Sequence, residues 1–190
     1  VSAGCQKVYG HWPDIDFALF EIAVKPSDEA TLQQVARNFN FTKPLTQGQL
    51  LVTIGHGIAE NPMRKLVANQ DSDCKVFSAD GDYRKMGDPD DVNPGDYQAW
   101  SFANGCDVSH GDSGSAMVDR LTGDPVGIIW TGRIPKSPQA QSSATINDWL
   151  RTNSPSIWKE LSYAVPAAKI QEHLRGVVAN DSTLDPESRA

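Results

Sequence analysis

The residue best placed for chemistry is Ser113, at the centre of Gly111-Asp-Ser-Gly-Ser115. A serine hydroxyl is a poor nucleophile near neutral pH. It needs a base to take its proton, and the acyl intermediate needs donors aimed at its oxyanion. Glycine at 111 lets the backbone turn so that its own N–H and that of Ser113 point the same way, and glycine at 114 gives a substrate room. Ser113 is therefore the expected attacking group, with the amides of Gly111 and Ser113 as its oxyanion hole. A Gly-Asp-Ser-Gly turn also occurs by chance in loop-rich proteins, so its surroundings decide what it means.

Those surroundings are short apolar runs at 17–24, 50–54, 74–77, 115–118 and 126–130, which read as strands between 15 glycines and 12 prolines. Ser27 to Phe39 begins Ser-Asp and then places apolar residues at 32, 35, 36 and 39, the pattern of a short amphipathic helix with an N-cap. Ala167 to Val178 reads as a terminal helix, because Ile170, Leu174 and Val177 recur at helical spacing. The stretch 78–97, with Asp80, Asp82, Asp88, Asp90, Asp91 and Asp96, reads as a solvated surface excursion. Its spacing does not match a calcium-binding loop, and no metal is expected. A Pro-, Ser- and Gln-rich loop at 133–143 and a polar tail after Asn180 complete an all-β chain with a C-terminal helix.

The run Asp107-Val-Ser-His-Gly-Asp-Ser-Gly-Ser115, followed by a strand, a Thr122-Gly-Asp turn and Val126-Gly-Ile-Ile-Trp-Thr-Gly132, resembles the nucleophile hairpin of trypsin-like serine endopeptidases of the bacterial secreted type. Ser162-Tyr-Ala-Val-Pro-Ala-Ala-Lys-Ile170 resembles their last strand and its run into a C-terminal helix, and the likeness covers the chain from about residue 12 to residue 175. It implies a trypsin-like double β-barrel and acyl transfer from a peptide bond to water, with no cofactor. The implied division is 1–48 for the last strands of the first barrel and the linker, 49–166 for the second barrel, and 167–190 for the helix and tail.

The same resemblance assigns further roles. Asp16-Phe-Ala-Leu-Phe20 is similar to the family's Asp-Ile-Ala-Leu-Leu element, which makes Asp16 the carboxylate that orients the catalytic histidine. Asp14, two residues earlier and on the same face of an extended strand, is the alternative. Asp107, six residues before Ser113, stands where trypsin-like members hold a Lys or Arg side chain, with Gly132 on the opposite wall and Trp130 beside the pocket.

None of the four histidines, at 11, 56, 110 and 173, falls where the family places its base. Val52-Thr-Ile-Gly-His-Gly57 aligns better with a second-barrel strand and turn, so His56 is expected to be structural. The expected partner is an upstream fragment of the same precursor that carries the histidine, held by barrel contacts and a disulfide at Cys5. The alternative is a catalytically inactive protease-like binding or scaffold module.

Composition narrows the rest. Hydrophobic residues at 39% and charged ones at 22% exclude a disordered or fibrous chain. A net charge of −7 with scattered Lys and Arg argues against nucleic acid as a partner, and no apolar run is long enough to cross a bilayer. Three cysteines without C-x-x-C spacing disfavour zinc and thioredoxin-like chemistry. Cys74 and Cys106 can pair and leave Cys5 odd, a pattern that suits a secreted or periplasmic setting.

Overall fold

A computed structural model describes residues 3–35, 41, 44–57, 66–88, 98–132, 152 and 161–181. The chain opens with a hairpin of β1 (Ala3–Trp12) and β2 (Phe17–Val24), joined by a 3-10 turn at Pro13–Ile15. Helix α1 (Pro26–Val35) follows, with Pro26 in its first turn and Asp28 and Glu29 complementing the positive N-terminal end of its dipole. The rest of the 27–39 helix reading lies outside the described residues.

Seven antiparallel strands then make one sheet: β3 (Leu51–Gly55), β4 (Val67–Asn69), β5 (Arg84–Gly87), β6 (Gln98–Asn104), β7 (Ala116–Asp119), β8 (Pro125–Thr131) and β9 (Ser162–Pro166). Their order across the sheet is β4-β3-β7-β8-β9-β6-β5. Helix α2 (Ala167–Asn180) ends the described chain. The architecture is thus mostly β with a C-terminal helix, built from a seven-stranded sheet and a two-stranded one.

Among the described residues no continuous ladder closes the larger sheet, yet its two halves meet at a seam. Residues 74–77, expected to be a full strand, form only two isolated bridges, Leu50 to Lys75 and Val76 to Asn104. On one side Leu51 N donates to Cys74 O at 2.8 Å and Val76 N to Gln49 O at 3.0 Å. On the other, Phe77 N donates to Ala103 O at 2.9 Å. The Cys74–Cys106 disulfide crosses this seam just before the nucleophile loop.

Because side chains alternate across a strand, the sheet carries a core on each face. Phe102, Ile129 and Ala164 point to an inner core with Leu51, Val76 and Met117. Ala103, Tyr163 and Val165 point to an outer core that Ile15 and Ile170 cover. This double coverage explains why all five residues of β9 are buried. The acidic excursion is not wholly solvated, since β5 interrupts it and sends Met86 into the outer core.

The hairpin docks on α2 by contacts that its sequence does not advertise. Lys7 Nζ reaches Asp181 at 2.8 Å, Asp14 lies 3.4 Å from His173 Nε2, and Trp12 meets the His173 ring edge-on. Three of its apolar side chains face out: Val8, paired with Phe20 across the strands, is 63% exposed, Phe20 53% and Ile22 46%. Among the described residues no helix is long and apolar enough to cross a membrane.

Candidate active site

The segment 109–115 folds as two linked turns, in which Asp112 N donates to Ser109 O at 3.0 Å and Ser115 N to Asp112 O at 2.8 Å. Gly111 at φ 99° and Gly114 at φ 84° occupy backbone space that a side chain would strain. Strand β8 holds the second turn, with Gly114 N donating to Ile129 O at 2.7 Å and Ile129 N to Ser115 O at 3.0 Å. The start of the loop is fixed by the disulfide and by Ser162 Oγ, which donates to Cys106 O at 2.6 Å.

Asp112 locks the turn from inside, because its Oδ2 accepts the Ser109 N–H at 2.9 Å. The carboxylate lies against the end of β3, where a side chain added at Gly55 would strike Asp112 Oδ1 and Ser115 Oγ, and one at Gly57 would strike Asp112 Oδ2 and Ser109 Oγ. The two glycines that flank His56 are therefore the cradle for Asp112.

Ser113 is exposed, and its hydroxyl donates to Trp130 O at 3.4 Å. Among the described residues the N–H groups of Gly111 and Ser113 donate to nothing, so two amide donors beside this serine are left open. No histidine hydrogen-bonds the Ser113 hydroxyl, although all four are described. His173 is committed to Lys169 O through Nδ1 and to Asp14 through Nε2, while His11 is exposed on β1. His56 is exposed at the end of β3, and His110 sits on the rim of the cavity described next.

Ser113 borders a cavity of about 80 Å³, walled by Val108, Ser109 and His110 on one side and by 129–132 on the other. Gly132 and Trp130 both line it. The Trp130 indole is also part of the outer core, where its Nε1 donates to Ser101 Oγ at 2.8 Å. Asp107 is exposed and does not line the cavity; among the described residues the carboxylate that does is Asp88, which accepts a hydrogen bond from Thr131 Oγ1 at 2.9 Å. Asp88 and Thr131 lie 43 residues apart, so no linear spacing announces the pair.

Asp16 stands just ahead of β2, where it adopts the left-handed conformation, φ 43° and ψ 48°, and caps the 3-10 turn through its N–H to Pro13 O at 3.2 Å. That turn puts Asp14 toward α2, so the same-face argument for an extended strand does not apply to this pair. The acidic residues of the excursion go to separate partners, Asp80 to Gln47 N and Asp82 to Arg84. Among the described residues no three His, Cys, Asp or Glu side chains gather as a metal site. Asp90, Asp91 and Asp96, and the 133–143 loop, lie outside the described residues.

No protein-family model matches the sequence, and no curated protein matches it. Among solved structures, the Rv3671c protease of M. tuberculosis in its active form superposes with a TM-score of 0.52 at 17% identity, over 95% of this chain and 60% of that one. A serine-to-alanine mutant of Rv3671c from strain H37Rv, in its inactive form, gives 0.52 at 16% identity, over 96% and 67%. A further inactive form gives 0.51 at 16%, over 92% and 66%. The chain thus spans about two thirds or less of the length of these neighbours, and what it shares with them is a protease-like fold.

Proposed function

We propose that the chain is the nucleophile-bearing part of a trypsin-like serine endopeptidase. The observation that carries this reading is the exposed Ser113 hydroxyl on a cavity edge, in a turn whose Gly111 and Ser113 N–H groups have no partner among the described residues. In the reaction Ser113 Oγ bonds to the carbonyl carbon of the scissile peptide while its proton passes to a base. The resulting oxyanion is held by the two amides, and collapse breaks the C–N bond as the base returns the proton to the departing amine. Water then repeats the sequence on the acyl-serine, releasing the acid and restoring the hydroxyl.

The base is a histidine supplied by polypeptide outside residues 1–190, oriented by Asp16. Two observations support this: none of the chain's own histidines hydrogen-bonds Ser113, and the β1–β2 hairpin exposes Val8, Phe20 and Ile22, a face suited to further strands. Two-stranded ribbons are marginal alone and gain stability when an apolar face is covered. Cys5, exposed on β1, can tie such a segment to the hairpin, and the disulfide at Cys74–Cys106 supports an oxidising, secreted or periplasmic setting.

The test is fluorophosphonate labelling of the native full-length protein, read by intact mass with and without reductant. A label on Ser113, lost in Ser113→Ala, is expected, with the histidine found in an additional segment. An unlabelled native protein would support the other reading, a protease-like binding module, which the Ser113 hydroxyl's bond to Trp130 O favours.

A further inference from the structure

We propose that the groove around Leu50, at the far end of β7 from Ser113, docks an extended polypeptide segment in which apolar side chains alternate with Lys or Arg. This goes beyond the protease reading and does not require Ser113 to be catalytic. Leu50 lines two hollows of about 360 and 530 Å³, both within the size range of ligand sites and larger than the cavity beside Ser113. Val76 and Phe77 line the first, Pro44 and Leu121 the second, so each offers apolar contact. Side chains two residues apart on an extended peptide share a face at a spacing of roughly 7 Å, which suits one on either side of Leu50.

The groove presents its leucines to solvent: Leu121 is 87% exposed and Leu50 38%. The turn that carries Leu121 is nevertheless locked. Asp119 Oδ1 accepts the N–H groups of Leu121 and Thr122 at 2.8 and 2.9 Å, and Gly123 N donates to Asp119 O at 2.9 Å. A turn already fixed loses little freedom when a partner covers it. Leu50 adds a backbone anchor. Its O accepts Arg120 N at 3.0 Å, while its own N–H has no acceptor among the described residues and is open to a carbonyl of the incoming segment.

Charge decides the partner. Asp71, Asp80 and Asp124 adjoin the groove, and each carboxylate is met by a neutral donor: Asn69 Nδ2 at 3.0 Å, Gln47 N at 2.6 Å and Thr122 Oγ1 at 2.8 Å. The cations there are already engaged, Lys75 with Asp73 at 3.8 Å and Arg120 with the backbone carbonyls of Leu51 and Asp71. An acidic rim around apolar walls attracts a cationic segment and repels a partner of like charge, a second copy of this chain with its net −7 included.

The experiment follows the fluorescence anisotropy of an end-blocked, labelled peptide alternating Leu and Lys, titrated with full-length Ser113→Ala protein so that it is not cut. Saturable binding is expected, about tenfold or more tighter than for the matched Leu-Glu and Ser-Lys peptides, and weakened by added salt. Leu121→Ser should weaken it by about tenfold, the worth of one largely buried leucine. The double variant Asp80→Asn, Asp124→Asn should narrow the preference for the Leu-Lys over the Leu-Glu peptide to within about threefold. Leu121 is exposed, so its replacement spares the fold, and a thermal melt matching the parent checks this. The proposal is overturned by an absence of saturable binding, by equal binding of the Lys and Glu peptides, or by binding that ignores Leu121→Ser, as binding at the cavity beside Ser113 would. A parent dimer that Leu121→Ser dissociates overturns it too, since the groove then belongs to a second copy. Fluorophosphonate labelling of native Ser113 is scored separately, so failure of the protease reading leaves this test intact.

Discussion

Replacing Gly55 or Gly57 by alanine tests whether Asp112 sets the geometry of the nucleophile. Between them the two added methyl groups would occupy the space of both Asp112 carboxylate oxygens, with Ser115 Oγ and Ser109 Oγ also in the way. Relief requires the carboxylate or the strand end to move by on the order of 1 Å, since non-bonded contacts tolerate little compression. Such overpacking costs about 1–3 kcal/mol. If the shift also breaks the 2.9 Å bond from Ser109 N, an amide left unsatisfied adds a comparable penalty. On overpacking alone, Tm falls by roughly 2–12 °C for a chain of this size. Ser113 follows Asp112 directly, so a displacement of that order is worth about 100-fold in reactivity. The assay pairs thermal melts with the second-order rate of fluorophosphonate labelling, and the control is Gly4→Ala, where an added methyl meets nothing within 4 Å. Melting and labelling in Gly55→Ala and Gly57→Ala that match the control would refute the claim that Asp112 is wedged against β3. The melting arm holds whether or not Ser113 is catalytic.

Three further outcomes are expected. Removing the Cys74–Cys106 disulfide by a double alanine substitution opens a loop with a sequence separation of 32 and costs about 3.5–4 kcal/mol by the chain-entropy relation, measurable by urea denaturation. His56→Ala retains labelling of Ser113 to within about fivefold, as a side chain outside the proton transfer should; a drop of about 10²-fold or more, the scale of a lost general base, would restore His56 as the base. Burial raises the pKa of the Tyr163 hydroxyl above its unfolded value of 10.0. Unfolding above pH 10 therefore releases a proton, so the stabilisation is complete below that pH and is lost as pH rises toward the folded value. Tyr163→Phe should flatten the alkaline limb of a stability–pH profile, and an unchanged slope would show that other groups carry it.

Local patterns were legible wherever one strand or helix carried the whole signal. Val126 to Trp130 reads as a strand and lies within β8, and the spacing of Ile170 and Leu174 reads as a helix that packs on the outer core. Residues 74–77 look like a strand for the same apolar reason, but they work as a seam between 48–51 and 103–105, a pairing set by distant backbone. Arg84–Gly87 was hidden because a short strand at a sheet edge can carry a half-buried Arg84 and an exposed Lys85, with Met86 its one buried side chain. In the same way a Pro-Asp-Ile turn ahead of β2 gives no sign that Asp14 will face His173.

The candidate site divides along the same line. Its nucleophile turn is local, and the glycines at 111 and 114 both adopt positive φ angles. Its walls are not local. Strand β8 shifts register against β9 between Ile129 and Thr131, and there Ile129 serves the inner core while Trp130 serves the outer one. Such a bulge re-aims side chains within a few residues. At this point Ile129 braces the turn, the Trp130 carbonyl receives the Ser113 hydroxyl, and Thr131 holds Asp88. One irregularity in one strand thus joins nucleophile and cavity wall. A substitution that removed the bulge would shift the brace, the Ser113 contact and the Asp88 contact together, whereas altering Asp88 alone leaves the two contacts at 129 and 130 in place.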